Sequence, residues 1–182
     1  MLSLFQKTIS KQTEFKGIGL HSGLESVVKI IPADVNHGII FKRIDLEQNN
    51  IIKANFEKVS SARLCTTIQN SFNISVSTVE HLLAALYITG IDNVLIEINS
   101  SEIPIMDGSS KEFVETFFKT GTKEQSAKRK YLQILKKFEF SENEKLISIE
   151  PNKKSLNVDF QLVYSNNVIG KQRNQINFSD KD

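Results

Sequence analysis

Glu80 and His81 are neighbours at the start of a helical stretch. A carboxylate and an imidazole placed side by side there can act as a general base and a zinc donor, the groups that metal-assisted hydrolysis requires. The same residues have a plainer reading. Ser77 lies three positions before Glu80, which is capping-box spacing, so the carboxylate can close back on the helix start and leave His81 half-exposed. The zincin pattern is absent, because the position four residues after His81 is Ala85. His21 sits in Gly19-Leu20-His21-Ser22-Gly23, where the glycines allow either a close backbone approach to a ligand or a special turn. His37, in Asn36-His37-Gly38, reads as a solvated turn residue. Asp107, in Met106-Asp107-Gly108-Ser109, either caps a helix and closes a turn or serves a site. Cys65 reads as a core residue unless a neighbour lowers its pKa. No glycine-rich phosphate loop of standard spacing occurs.

The elements that must hold these residues follow from periodicity. Val79, Leu82, Leu83 and Leu86 recur at helical spacing, which predicts a helix over 78–89 capped by Ser77 and ended by Gly90. A second helix is expected over about 110–119, with Phe113, Val114, Phe117 and Phe118 forming a broad aromatic face and Gly121 stopping it. Val27–Ile31 is rich in β-branched residues and reads as a strand, with Gly38–Arg43 as its hairpin return. Val94-Leu95-Ile96-Glu97-Ile98 is a further strand. Residues 121–130 are polar and charged and mark the best domain boundary. Beyond them only strands are expected, over Tyr131–Phe140, Leu146–Ile149, Leu156–Tyr164 and a short one after Asn174. A sheet without helices must bury its apolar face elsewhere, so this second part reads as unfinished.

The chain has 182 residues, 40% hydrophobic and 24% charged, the profile of an ordinary globular protein. Its net charge of +2 argues against a nucleic-acid partner, and Lys128-Arg129-Lys130 reads as a solvated linker. A single cysteine excludes an intrachain disulfide and cysteine-rich metal centres. The start, MLSLFQKTIS, has only a short apolar run and no basic stretch before it, so neither a signal peptide nor a membrane span is expected, and the expected location is cytoplasmic.

Four segments together resemble a known family. They are Gly17–Gly23, Arg63-Leu64-Cys65-Thr66-Thr67, Ser77–Leu86 followed by Gly90-Ile91-Asp92-Asn93, and Glu102-Ile103-Pro104-Ile105-Met106-Asp107-Gly108-Ser109. This pattern is similar to that of the UDP-3-O-acyl-N-acetylglucosamine deacetylases, zinc enzymes of lipid A biosynthesis, and runs over essentially the whole chain.

The resemblance implies an α+β fold of two domains, each a two-layer β-α-α-β sandwich. The first would be complete over 1–125, and the second, 126–182, would be truncated to its opening strands. It implies hydrolysis of the 2-acetamido group of a UDP-linked, 3-O-hydroxyacylated glucosamine, with Glu80 as general base and His81 as one ligand of a single Zn²⁺. His21 and Asp107 would support the site, while Leu64 and Cys65 would line the substrate cleft. In this family two further zinc ligands and the histidine that protonates the leaving amine lie downstream of the segments present here. The chain is therefore expected to be an N-terminal portion, inactive and weak in zinc binding by itself. The alternatives are a half-enzyme completed by a separately encoded C-terminal chain and a sandwich domain that binds a nucleotide sugar or a partner without catalysis.

Overall fold

The computed structural model describes residues 4–153 and 156–177, which fall into two units, Ser3–Arg129 and Lys130–Asp182. In chain order the first unit contains β1 (Phe5–Ile9), β2 (Thr13–Ile18), β3 (Glu25–Pro32), β4 (Ile39–Arg43), β5 (Ile51–Lys53), β6 (Val59–Ser61), β7 (Thr67–Gln69), β8 (Ser75–Val76), α1 (Glu80–Ile88), β9 (Val94–Ile98), α2 (Lys111–Thr120) and β10 (Thr122–Lys128). It is a mixed α/β arrangement of several sheets and two helices.

The main sheet has the order β2-β3-β9-β4-β5. Gly38–Arg43 is therefore not the hairpin return of β3. Strand β9 lies between β3 and β4, antiparallel to the first and parallel to the second. The reason is burial: Val94, Ile96 and Ile98 are all fully buried, and a strand with that much apolar surface belongs at the centre of a sheet. Register places Ile30, Ile96, Phe41 and Ile52 side by side across four strands, and all four are buried. Residues of this kind contribute about 1.5–3 kcal/mol each on burial. The alternate positions carry the ion pairs Lys42–Glu97 at 3.0 Å and Lys29–Glu14 at 3.8 Å. The buried residues of α1 (Leu82, Ala85, Leu86) and α2 (Phe113, Phe117) join the sheet's apolar residues in one core. Phe118 belongs to the other side of α2 and is 68% exposed, so the aromatic face is narrower than its sequence suggests.

Two other expectations change. Residues 122–128 form β10, antiparallel to β1, rather than a linker. The strand escapes an apolar pattern because its inward group is polar: Gln125 accepts from Asn93 Nδ2 at 2.7 Å and donates to the Ala33 carbonyl at 2.8 Å. Arg129 is not a free solvated charge either, since it pairs with Asp92 at 2.7 Å and donates to the Gly90 carbonyl.

The second unit consists of two hairpins among its described residues. They are β11 (Phe138–Glu142) with β12 (Lys145–Ile149) and β13 (Asn157–Val163) with β14 (Lys171–Asn177). Asn143, at φ 54°, takes the left-handed conformation that a two-residue turn demands. Arg173 reaches across to Asp159 and, with Gln175, holds its carboxyl down at about 2. Phe138, Phe140, Leu146, Ile147, Val158 and Phe160 are exposed. The alternation along β13 is real, but much of its apolar side faces solvent. Isolated two-stranded hairpins are marginal in water. The polar end at 178–182 lies outside the described residues. Among the described residues no helix is long and apolar enough to cross a membrane.

Candidate active site

The first turn of α1 brings Glu80 to the loop between β6 and β7 and His81 to the turn before α2. The capping box does not form. Ser77 is drawn into a bridge with Glu102, and its hydroxyl donates to the Ser101 carbonyl at 3.2 Å. Glu80 turns instead to the loop between β6 and β7, where its Oε2 accepts the Thr66 N–H at 3.0 Å. Its other oxygen has no hydrogen-bond partner among the described residues. Glu80 and His81 are both half-buried. The His81 carbonyl accepts from Ser110 Oγ at 3.0 Å, which ties α1 to the turn before α2.

Leu64 and Cys65 lie in the loop that anchors Glu80. Leu64 has φ 66° and is 84% exposed. A bulky residue in the left-handed region with its side chain in water carries a cost that core packing does not repay. Cys65 is half-buried, with Sγ 3.9 Å from Thr67 Oγ1.

Asp107 closes its own turn, accepting the Ser109 N–H at 2.9 Å and the Ser109 hydroxyl at 2.8 Å. Those hydrogen bonds, the hydroxyl's first, hold its carboxyl below the usual range. It is exposed. His37 sits in the 36–38 turn with Nδ1 3.0 Å from the Gly38 carbonyl.

Two residues that periodicity does not mark complete the arrangement. Glu102 is 1% exposed, and its carboxylate accepts hydrogen bonds from three residues. Oε1 accepts the His21 N–H at 3.0 Å and the Thr78 hydroxyl at 2.8 Å, and Oε2 accepts the Ser22 N–H at 2.7 Å. Thr78 is 2% exposed and has φ 56°, a conformation that β-branched residues rarely adopt. Gly19 is needed because a Cβ there would stand 2.5 Å from Glu102 Oε2. The glycine-flanked loop signals that backbone N–H groups there need acceptors, without saying which residue supplies them.

Burial alone would raise the Glu102 pKa. The His21 N–H, the hydroxyl and N–H of Ser22 and the Thr78 hydroxyl outweigh burial and hold it below its ordinary 4.5. A depressed folded-state pKa means that the stabilisation is fully present above 4.5 and is lost as pH falls through the lowered value. Hydrogen-exchange protection of the His21 and Ser22 amides is accordingly expected to fall below pH 4.5 before that of Val28 does. Equal loss at all three amides would contradict this.

Among the described residues, no group of three or more His, Cys, Asp and Glu side chains could hold a metal ion. A catalytic zinc takes three protein ligands as a rule. The described residues by themselves do not fit such a centre.

Comparison with known proteins agrees with this arrangement of segments. The sequence pattern of LpxC, UDP-3-O-acyl N-acetylglycosamine deacetylase, matches residues 6–182. A UDP-3-O-acyl-N-acetylglucosamine deacetylase of Shewanella frigidimarina (strain NCIMB 400) is 41% identical over 170 residues, covering 93% of this chain and 55% of that protein. One from Geotalea uraniireducens (strain Rf4) is 41% identical over 174 residues, covering 96% and 56%. One from Shewanella violacea is 40% identical over 168 residues, covering 92% and 55%. The chain thus spans a little over half the length of the curated relatives it matches. With nearly all of its residues inside that pattern, the chain belongs to the UDP-3-O-acyl N-acetylglycosamine deacetylase family.

Proposed function

We propose that this chain is the amino-terminal part of a deacetylase that removes the N-acetyl group of UDP-3-O-(3-hydroxyacyl)-N-acetylglucosamine in lipid A biosynthesis, in the cytoplasm. The observation that carries the reading is the state of Glu80. One carboxylate oxygen is pinned by the Thr66 N–H, and the other is without a hydrogen bond among the described residues, on a half-buried side chain next to His81. A general base needs this combination of a fixed orientation and an open lone pair.

Glu80 takes a proton from water as the water oxygen adds to the acetamide carbonyl carbon. Collapse of the tetrahedral species breaks the C–N bond, and the departing nitrogen receives a proton from an acid that the family resemblance places outside these residues. Acetate and the free amine result. His81 would supply one donor to a zinc ion, which would polarise the acetamide carbonyl, once further ligands were provided. His21 and Asp107 support the cleft, and Leu64 and Cys65 line it beside Glu80. The first unit is read as one two-layer β-α-α-β sandwich that keeps β10, so that the boundary expected at 125 moves to Arg129, and the strands after it as the opening of a second.

Acetate release from the UDP-sugar in the presence of zinc tests this. The 182-residue chain alone is expected to show no turnover. Turnover is expected once the carboxyl-terminal half of the Shewanella frigidimarina relative is supplied. Turnover by the chain alone would overturn the half-enzyme reading. Binding of the UDP-sugar without turnover in the mixture would move the assignment to a non-catalytic binding domain.

A further inference from the structure

The carboxylate of Glu102 joins two features that chain order keeps apart. The His21 and Ser22 amides lie about 80 residues before it and Thr78 lies 24 residues before it. Thr78 is the strained residue that turns the chain into Val79 and then Glu80 and His81. A β-branched residue stays in the left-handed region only when its surroundings over-determine it. Here the buried hydroxyl, held at 2.8 Å by Glu102, does so. Segments 17–24 and 102–106 are knit together further by the Ile105 N–H to the Ile18 carbonyl at 2.9 Å and by Gly17, where a Cβ would come within 3.0 Å of Pro104.

We propose that Glu102 is a positioning residue of the active site, its two oxygens fixing the His21 loop to strained Thr78 and so setting where Glu80 and His81 stand. Its place in the reaction rests on the deacetylase reading above. Its geometric role does not. Glu102→Gln isolates the charge and acceptor pattern, because the carboxamide keeps the shape but sets an NH₂ group against one of the N–H donors. The loop must then shift.

The chain contains three histidines, and His37 lies in a turn that makes no contact with Glu102, so it serves as an internal control. In ¹⁵N spectra of the imidazoles of the full 182-residue chain, E102Q is expected to move the His21 and His81 signals and leave His37 in place. Exchange of the His21 and Ser22 amides is expected to quicken about 10- to 100-fold, the factor carried by a lost hydrogen bond to a charged group, while Val28 and Ile96 hold. Unmoved His21 and His81 signals would overturn the proposal. So would equal acceleration at Val28 and Ile96, which marks a merely structural role.

If E102Q fails to fold, T78V removes one donor with no change of shape, and unmoved His81 signals would again be decisive against the proposal. In the deacetylase assembled with its carboxyl-terminal half, E102Q is expected to lower kcat about 10- to 100-fold with KM within about twofold, as displaced groups do. An unchanged kcat would count against it. An inactive wild-type assembly would sink the deacetylase reading alone, and the imidazole spectra would still decide the role of Glu102.

Discussion

Glu80→Gln, made in the chain assembled with a relative's carboxyl-terminal half, is expected to lower acetate release by about 10²–10⁴-fold. Glutamine keeps an oxygen that can accept the Thr66 N–H, now made at 3.0 Å, so the loop bearing Leu64 and Cys65 stays anchored. What disappears is the basic lone pair. Substrate binding and fold are left in place, and the loss falls on kcat. Stability of the variant should match that of the unmodified chain within about 0.5 kcal/mol, as for substitutions that break no buried network. Steady-state acetate release and urea titration, run together, check both halves of the statement. Activity retained within about threefold would remove Glu80 from the base role, since proton transfer is worth far more than that.

The second large effect concerns stability. Phe113→Ala is expected to destabilise the first unit by about 3–5 kcal/mol, the usual cost of emptying a buried aromatic site. The ring is fully buried and meets Phe15 of β2 edge-on, with centroids 4.7 Å apart at 62°. Phe15 also meets Phe117 at 5.7 Å and 88°. These three rings pack α2 against β2. Removing the Phe113 ring leaves a void beside Phe15 that the remaining rigid rings cannot fill. Exchange of the Ile30 and Ile96 amides, deep in the sheet, reports this opening without interference from the second unit. It should quicken by more than about 100-fold. Phe118→Ala is the control: its ring is 68% exposed, and a small effect is expected. Equal effects from both substitutions would mean that the packing described for α2 is wrong.

The two helices were legible because their periodicity matches their burial. Leu82 and Leu86, and Phe113 and Phe117, are spaced to face one core. Strand β9 was legible as a strand, but its place in the sheet was not. Register between Ile96 and its partners Ile30 and Phe41 is a long-range fact that local patterning does not encode. Strand β10 was missed because its inward contacts are amide hydrogen bonds through Gln125 rather than apolar burial. Ser77 had cap spacing, yet the left-handed Thr78 breaks the geometry that a cap requires. Glu80, His81, His21, Leu64, Cys65 and Asp107 are expected at the site from their segments alone. Glu102 is not, because a single buried carboxylate in an irregular stretch has no period to betray it.

The position of Val94–Ile98 at the centre of the main sheet sets an order of events during synthesis. β2 with β3, and β4 with β5, can each pair as soon as they leave the ribosome, but they cannot join one another until the strand between them arrives. Roughly 45 residues separate the end of β5 from the end of β9, a wait of about 2–9 s at ordinary elongation rates of ~5–20 residues per second. Throughout that interval Ile30, Phe41 and Ile52 have no central strand beside them. The nascent chain is therefore most open to aggregation and to chaperone capture before its hundredth residue emerges.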